Sequence, residues 1–307
     1  MTIASLVEWI AADWGTTNLR LWLMGPDDTI VEARSSAKGM GSLNPSEFEP
    51  ALVELVDDAL TDDRTLPVIV CGMAGARQGW VEAPYVSVPS APADISQAVE
   101  VPVRDKRLSV YILPGMKQEE PEDVMRGEET QIAGFLSTRP DYRGLLCLPG
   151  THTKWARLED GKVVSFSTIM TGELFELLSS RSVLRHGLEA GPIDQTAFRE
   201  AVSESFVSPA SLTRSLFGVR AKGLLSGLAP VAAYSRLSGL LIGAELAALQ
   251  LPEPAAKPVS ILGADRLSDI YADALNTIGM SGVKVPADDA TLTGLRMAYA
   301  QLKDKTR

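Results

Sequence analysis

Two short turns in this chain combine glycine with threonine, and this combination suits the binding of phosphate oxygens. They are Asp13-Trp14-Gly15-Thr16-Thr17-Asn18-Leu19-Arg20 and Pro149-Gly150-Thr151-His152-Thr153-Lys154-Trp155. Glycine lets a ligand approach the backbone closely, threonine adds hydroxyl donors, and the N–H groups of a tight turn can share one concave surface. A single turn of this kind would be common. Two in matching contexts predict a duplicated phosphate-binding fold.

Asp13 precedes the first turn, at the end of a predicted strand. A carboxylate in that place can hold Mg²⁺ through water, because Mg²⁺ prefers carboxylate oxygens and keeps much of its hydration. We therefore predict that Asp13 lies on the metal side of the site. An ordinary hairpin with an Asx-type turn is the alternative interpretation.

A pair of acids, Glu128 and Glu129, follows Gly127 at the predicted start of a helix. The helix dipole stabilises a carboxylate there, so we expect either acid to be ionised and weakly basic. A weak base suffices in a loose phosphoryl-transfer transition state, where positioning of the acceptor hydroxyl matters more than base strength. The alternative is that the two acids only stabilise the helix.

Other side chains are candidates for binding. Arg126 and Lys154 could pair with phosphate or with a substrate carboxylate, and His152 could donate to phosphate. Gly263 follows a strand with β-branched residues and precedes a helix, where it could form one wall of a nucleoside-binding site. The P-loop and Rossmann glycine motifs are absent from the sequence, and its two His and two Cys have no zinc-site spacing.

The two Gly–Thr turns occupy equivalent places in two predicted three-strand units. Period-two alternation and turn residues indicate strands at 7–12, 19–24 and 29–33, and again at 145–148, 154–158 and 163–170. Further strands are predicted at 66–71, 110–113 and 259–262, and helices from 44–47, from 126–131 and over 231–249, 267–278 and 290–302. The polar stretch 140–144 separates predicted domains 1–140 and 141–307.

Composition favours a globular protein of the cytoplasm. The 307 residues are 45% apolar and carry a formal net charge of −10, which argues against a nucleic-acid partner. Cys71 and Cys147 lie in apolar runs and are expected to be reduced thiols. We find no signal-peptide pattern and no apolar run long enough to span a membrane.

Several blocks of the sequence together resemble the 2-dehydro-3-deoxygalactonokinase family of the sugar kinase/Hsp70/actin superfamily. Besides the two turns, they are Met125 to Gln131, Met170 to Leu174, Ser238 to Glu245, Gly72 to Gly75, and Gly79-Trp80 with Ala83 to Tyr85. The similarity runs in order over nearly the whole chain. It implies an α/β, two-domain actin-like ATPase (ribonuclease H-like) fold, with a mixed β-sheet flanked by helices in each domain and an ATP cleft between the domains.

The resemblance also implies a reaction and a set of site residues. ATP, with Mg²⁺, would phosphorylate the 6-hydroxyl of 2-dehydro-3-deoxy-D-galactonate, in galactonate catabolism. Catalysis would fall to Glu128 or Glu129, and metal binding to Asp13. The phosphate-binding residues would be Gly15, Thr16, Thr17, Gly150, Thr151, His152, Thr153 and Lys154; the adenosine-binding residues Gly263, Ala264 and Asp265; and the sugar-acid-binding residues Asn18, Gly72, Met73, Ala74, Trp80, Arg126, Thr171 and Glu173.

One departure from the wider superfamily directs the search for the base. Many members have an Asp before the second Gly–Thr turn, but Leu148 and Pro149 stand there in this chain. The base must come from elsewhere, and Glu128 is preferred over Glu129. The open alternatives are a kinase for another 2-keto-3-deoxy sugar acid, or an exopolyphosphatase-type hydrolase. An actin-like scaffold would need large insertions, and a DNA-binding regulator would need a helix-turn-helix before the first strand.

Overall fold

A computed structural model describes residues 2–249, 251, 257–286 and 290–305. The chain forms two compact units. Unit 1 comprises Met1–Tyr142, Glu159–Ser165 and Ala287–Arg307, and unit 2 comprises Arg143–Leu158 and Phe166–Pro286.

The helices of the described residues include all of those predicted from the sequence. In chain order they are α1 (Phe48–Val56), α2 (Glu128–Ser137), α3 (Thr171–Ser180), α4 (Gln195–Val207), α5 (Leu212–Ser226), α6 (Pro230–Ala248), α7 (Asp265–Thr277) and α8 (Ala290–Lys305). The predicted second domain included the last helix, whereas the structure groups that helix with unit 1. The reason is that α8 packs against α2, β1 (Trp9–Trp14) and β4 (Leu66–Gly72).

Unit 1 is built on a sheet with the order β3-β2-β1-β4-β7-β6. Its remaining strands are β2 (Leu19–Met24), β3 (Ile30–Ser36), β6 (Val99–Val101) and β7 (Leu108–Ile112). The first three strands form the predicted antiparallel meander, and β4 pairs in parallel with β1 and β7. A second, small sheet of β5 (Tyr85–Ser87), β8 (Gly115–Glu119) and β9 (Glu122–Met125) lies where the sequence indicated only loops.

Alternating side chains of β1 supply both faces of the sheet in unit 1. Ile10 and Trp14 belong to a core with Phe48 of α1, while Trp9 belongs to a core with Leu295 of α8. Side chains of a strand point alternately to opposite faces, so Asp13 lies on the Trp9 face. Burial of the strand on both faces explains its nearly unbroken apolar sequence.

Unit 2 repeats the strand pattern of unit 1. Its sheet has the order β12-β11-β10-β13-β14, from β10 (Gly144–Leu148), β11 (Thr153–Glu159), β12 (Lys162–Ile169), β13 (Val259–Leu262) and β14 (Gly282–Val285). As in unit 1, the two strands joined by the Gly–Thr turn are antiparallel, and the first of them pairs in parallel with a later strand. Here β10 pairs with β11 and with β13, and β13 pairs in parallel with β14. The duplicated three-strand pattern predicted from the sequence is therefore confirmed.

Glycines bring helix backbones together in both units. In α6, a Cβ on Gly239 or Gly243 would lie only 2.3 or 2.4 Å from a backbone oxygen of α4, which confirms the predicted close packing. In unit 1, Gly134 of α2 meets the Ala290 oxygen of α8 in the same way. Among the residues that the structure describes, no helix combines the length and apolar character needed to cross a membrane.

Candidate functional site: the two Gly–Thr turns and their surroundings

The first Gly–Thr turn connects β1 to β2 in unit 1. The N–H of Gly15 donates to the Asn18 oxygen at 2.9 Å, which closes the turn. Thr16, Thr17 and Asn18 are exposed, and within the described part of the chain their backbone N–H groups have no hydrogen-bond acceptor. The turn therefore presents free N–H donors and threonine hydroxyls to a ligand, as a phosphate site requires.

Asp13, Gly72 and Gly127 come together where β1 and β4 run in parallel. The register pairs Asp13 with Cys71 and Trp14 with Gly72. Gly72 has φ +90°, and a Cβ there would lie 2.7 Å from the Trp14 oxygen and 3.5 Å from Asp13 Oδ1. A Cβ on Gly127 would lie 3.4 Å from the Gly72 Cα. The start of α2 thus lies beside the end of β1.

Asp13 forms an ion pair with Arg20, a residue that the sequence interpretation had not singled out. Arg20 Nη2 donates to Asp13 Oδ2, while Oδ1 lies 3.9 Å from Cys71 Sγ. The antiparallel register places Arg20 directly opposite Asp13. That register follows from the length of the turn, so the hairpin pattern already contained the signal for this pair.

The two acids at the start of α2 differ in environment. Glu129 is 1% exposed; its Oε2 accepts from the Gly127 N–H at 2.7 Å, and its Oε1 accepts from the Thr130 hydroxyl at 3.3 Å. Burial, helped by the adjacent charge of Glu128, raises the pKa of Glu129 to about 8. The expectation that either acid would be ionised is wrong for Glu129, because desolvation outweighs the backbone hydrogen bonds and the helix dipole. Glu128 is half-buried, and its Oε2 accepts from the Arg126 backbone N–H at 3.2 Å.

Arg126 is buried beside the same helix start. Its Nη2 donates to the Ala83 oxygen at 2.8 Å, and the guanidinium lies 4.2 Å from the ring centroid of Tyr85. Within the described residues, Nε and Nη1 have no hydrogen-bond partner. Gly75 packs against Nη1, since a Cβ there would lie 2.8 Å away. The guanidinium thus holds its positive charge in the interior of unit 1, close to the turn that follows β4.

Of two other predicted sugar-acid residues, Ala74 lies in the core of unit 1 and the partly buried Trp80 packs against that core. Trp80 stacks on Phe48 with ring centroids 5.9 Å apart and packs edge-on against Trp14. Ala74 is fully buried in the same core, and its carbonyl accepts from the Trp80 N–H at 2.8 Å. Met73 is half-buried between Gly72 and Ala74.

The second Gly–Thr turn lies between β10 and β11 in unit 2. Thr151 and His152 are exposed, and their N–H groups have no acceptor among the described residues. His152 Nε2 and Glu173 Oε2 lie 2.6 Å apart, so the imidazole and the carboxylate share a hydrogen bond. The turn therefore resembles the first one in the donors that it exposes.

Thr153 and Lys154, by contrast, are buried in β11. The Thr153 hydroxyl is bonded to the Tyr271 hydroxyl at 2.8 Å, and Lys154 Nζ donates to the Thr168 hydroxyl at 2.8 Å. Tyr271 in turn donates to Glu245 Oε2, while the Trp155 indole N–H donates to Glu245 Oε1. Burial raises the pKa of Glu245. This polar network joins β11 to α6 and α7 behind the turn.

A cavity of about 280 Å³ in unit 2 lies beside the second turn. Gly150, Thr171 and Gly172 form one side of it, and apolar or aromatic side chains form most of the rest, including Phe175, Tyr234, Leu241, Leu267 and Ile270. Gly263 lies close by, since a Cβ there would meet Pro149 Cδ at 3.1 Å. Ala264 and Asp265 are exposed at the start of α7, and Asp265 lines a wider, adjoining groove.

The described residues contain no cluster of three or more His, Cys, Asp or Glu side chains arranged to hold a metal ion. A nucleotide-bound Mg²⁺ does not require such a cluster, because phosphates and water supply most of its ligands. Asp13 fits this lesser requirement: its side chain is 17% exposed at the edge of the first turn.

Comparisons with known proteins show the family of this chain. Residues 13–298 match the family model described as 2-keto-3-deoxy-galactonokinase. The chain is 40% identical over 294 residues to a Rhizobium meliloti protein named probable 2-dehydro-3-deoxygalactonokinase, covering 94% of this chain and 95% of the relative. It is 35% identical over 291 residues to the Escherichia coli 2-dehydro-3-deoxygalactonokinase, covering 94% and 96%.

Solved structures point the same way. A Sinorhizobium meliloti crystal structure, also given a 2-dehydro-3-deoxygalactonokinase name, has a TM-score of 0.87 and 39% identity, covering 96% of this chain and 99% of that one. Component A of the Acidaminococcus fermentans (R)-2-hydroxyglutaryl-CoA dehydratase, at TM-score 0.50 and 14% identity over 95% and 99% of the two chains, shares the fold. The predicted α/β actin-like ATPase fold is confirmed, and the chain belongs to the 2-keto-3-deoxy-galactonokinase family.

Proposed function

We propose that this protein transfers the γ-phosphate of ATP to the 6-hydroxyl of 2-dehydro-3-deoxy-D-galactonate, yielding 2-dehydro-3-deoxy-6-phospho-D-galactonate. The observation that carries the proposal is the repeated Gly–Thr turn, whose exposed N–H groups in both units have no acceptor within the described part of the chain. Family membership supports a sugar-acid kinase, and the relatives' names supply the substrate. Galactonate catabolism is the corresponding pathway.

The phosphate contacts that we propose come from the exposed part of each turn. They are Gly15, Thr16 and Thr17 in unit 1, and Gly150, Thr151 and His152 in unit 2. Glu173 would orient the His152 imidazole through their hydrogen bond. Thr153 and Lys154 are omitted, because both side chains are buried and bonded to neighbours within unit 2.

We assign the role of base to Glu128. A general base must come within hydrogen-bond reach of the acceptor hydroxyl, and the half-buried Glu128 can do so where the enclosed Glu129 cannot. Glu129, with its raised pKa, is mostly protonated near neutral pH and would position the start of α2 through Gly127. In a loose transition state, Glu128 would mainly orient the hydroxyl and take its proton late.

The sugar acid would be recognised in unit 1. Arg126 supplies positive charge for its carboxylate, and Asn18, Gly72 and Met73 supply polar groups around the end of β1. Ala74 is omitted because its side chain is buried in the core, and Trp80 because its ring packs against the core residues Phe48 and Trp14. Thr171 and Glu173 fit the nucleotide better than the sugar acid, because one lines the cavity in unit 2 and the other bonds His152.

The apolar cavity in unit 2 is the proposed site for the adenine ring, with Gly263, Ala264 and Asp265 near the ribose. Ligand pockets of this kind are mostly apolar with a few polar groups at fixed places. Asp13 would hold Mg²⁺ through water at the first turn, and the ion when bound would neutralise phosphate charge. Three expectations from the sequence stay predictions. They are a location in the cytoplasm, the lack of a nucleic-acid partner, and an ATP cleft between the domains.

The decisive experiment couples ADP release to added sugar acids. We expect release with ATP, Mg²⁺ and 2-dehydro-3-deoxygalactonate, and little with epimeric 2-keto-3-deoxy acids or with ATP alone. No release above background would contradict the proposal. Release with another 2-keto-3-deoxy acid only would favour a different kinase, and phosphate release without sugar would favour an exopolyphosphatase-type hydrolase.

A substitution tests the assigned base in the same assay. Glu128→Gln should lower kcat by about 100-fold while the KM for ATP changes little, since a general base typically contributes 10²–10⁴-fold. Glu129→Gln is the matched control and should retain more activity. A larger loss in Glu129→Gln than in Glu128→Gln would reverse the assignment.

A further inference from the structure

A glycine lies directly behind the first Gly–Thr turn, although it is more than twenty residues away in sequence. A Cβ on Gly39 would lie 2.2 Å from the Thr17 carbonyl carbon, 2.4 Å from the Thr16 oxygen and 2.5 Å from the Asn18 nitrogen. Its φ of −74° is one that any residue adopts. Glycine is therefore required here by close approach and not by backbone conformation.

The residues after Gly39 bond the turn from the same side. The Met40 N–H donates to the Gly15 oxygen at 2.9 Å, and the Gly41 N–H donates to the Thr16 oxygen at 2.8 Å. The Trp14 indole N–H donates to the Lys38 oxygen at 2.9 Å, which ties the segment to a core residue. Because this segment satisfies the Gly15 and Thr16 carbonyls, the exposed N–H groups of Thr16 and Thr17 are left for a ligand.

Unit 2 has a similar close approach at its own turn, where Gly172 also lines the cavity beside Gly150. A Cβ on Gly172 would lie 2.3 Å from the Gly150 oxygen and 2.9 Å from the Thr151 Cα. The Glu173 N–H donates to the Thr151 oxygen at 2.9 Å, as Gly41 does to Thr16 in unit 1. Gly172 is the second residue of α3, where the helical backbone would accept any ordinary residue.

The two glycines also have equivalent places in the strand order. Gly39 comes three residues after β3 ends at Ser36, and Gly172 comes three residues after β12 ends at Ile169. Each of these strands is the third strand of its meander, and the Gly–Thr turn joins the first two strands of the same meander. In both units a close backbone approach is accompanied by a hydrogen bond to the carbonyl of the threonine that follows the turn glycine, Thr16 or Thr151, which is hard to explain as unrelated packing.

We propose that Gly39 and Gly172 are positioning residues that shape the two phosphate turns. Each allows a backbone segment to lie against its turn and occupy the carbonyls, so that the N–H groups face the phosphates. The inference rests on the proposed kinase function and adds two residues to it. A side chain at either place must displace the turn, because the obstructing atoms are backbone.

The test compares Gly39→Ala and Gly172→Ala with Gly25→Ala. Gly25 is also crowded, although less closely, with a Cβ 2.9 Å from the Leu6 oxygen, and it lies at the opposite end of β2 from the turn. The readouts are the Kd for ADP with Mg²⁺ by calorimetry, the KM for ATP, and the Tm. We expect the ADP Kd to rise about tenfold or more in the first two variants, equivalent to 1.4 kcal/mol, while Gly25→Ala loses Tm alone.

Each other outcome has a distinct meaning. An unchanged ADP Kd in folded Gly39→Ala and Gly172→Ala would overturn the inference, as would an equal rise in Gly25→Ala. If Gly39→Ala fails to fold, Gly41→Ala replaces it: its Cβ would lie 3.2 Å from the Thr16 oxygen, so it displaces the turn mildly, and a normal ADP Kd there would count against the inference. If the wild-type protein does not bind ADP, the proposed function itself fails.

Discussion

At the scale of single residues, environment separates side chains that are neighbours in sequence. Glu128 and Glu129 share a helix start, yet one is half-buried and the other is 1% exposed. The same holds for His152, which is exposed in its turn, and Thr153, whose hydroxyl is bonded to Tyr271 in the interior. Adjacent residues of one type or one motif therefore take different chemical roles.

Glu129 should make the stability of the protein depend on pH. Its pKa is about 8 when folded and about 4.5 when unfolded, so the folded state holds more protons between these values and stability falls as the pH rises through the window. Glu129→Gln cannot ionise and should lose this part of the slope. Urea unfolding at several pH values measures it, with Glu100→Gln at an exposed position as the control substitution. Equal slopes in wild type and Glu129→Gln would contradict the raised pKa.

At the scale of elements, close contact between helix backbones fixes the start of α2. Gly134 of α2 and Gly294 of α8 each lie against a backbone oxygen of the other helix, at Cβ distances of 2.0 and 2.1 Å. The helix that carries Glu128 is therefore supported by the C-terminal helix, which explains why α8 belongs to unit 1. No local sequence pattern in α2 indicates this partner.

Gly294→Ala should destabilise unit 1 by overpacking. The added Cβ would lie 2.1 Å from the Thr130 oxygen, and overfilled cores typically lose about 1–3 kcal/mol. Gly218→Ala in α5 is the matched control, because among the described residues no atom beyond the adjacent helix backbone lies within 4 Å of its Cβ, and alanine favours helix by about 0.5–1 kcal/mol. Chemical denaturation of both variants gives the comparison. A Gly294→Ala protein as stable as the wild type would contradict this prediction, because α2 and α8 would then move apart at little cost.

At the scale of the whole molecule, the same strand order occurs in both units. A hairpin at a Gly–Thr turn is followed by a third antiparallel strand, and the first strand is then paired in parallel with the later ones. The chain carries a formal net charge of −10, yet both turns expose N–H donors that have no acceptor among the described residues. In the proposed function, an anionic nucleotide would be bound through these local donors and not through overall charge.

Nucleotide binding should raise the free energy of unfolding of the whole protein. A ligand that binds only the folded state adds about 2.7 kcal/mol at about 100 times its Kd. We expect this gain for ADP with Mg²⁺, and a smaller gain after chelation with EDTA or in Asp13→Asn. The Tm and the urea midpoint measure it. If Asp13→Asn gains as much from Mg²⁺-ADP as the wild type does, the metal assignment of Asp13 is wrong.

The linear sequence by itself determined the two Gly–Thr turns, the three-strand meanders and the start of α2. These features depend on contacts between near neighbours, namely turn chemistry and period-two alternation. Only the tertiary structure decided the raised pKa of Glu129, the packing of Trp80 against Phe48, the burial of Thr153, and the support of the turns by Gly39 and Gly172. Desolvation and close backbone approach arise from residues far apart in the chain, so no local pattern encodes them.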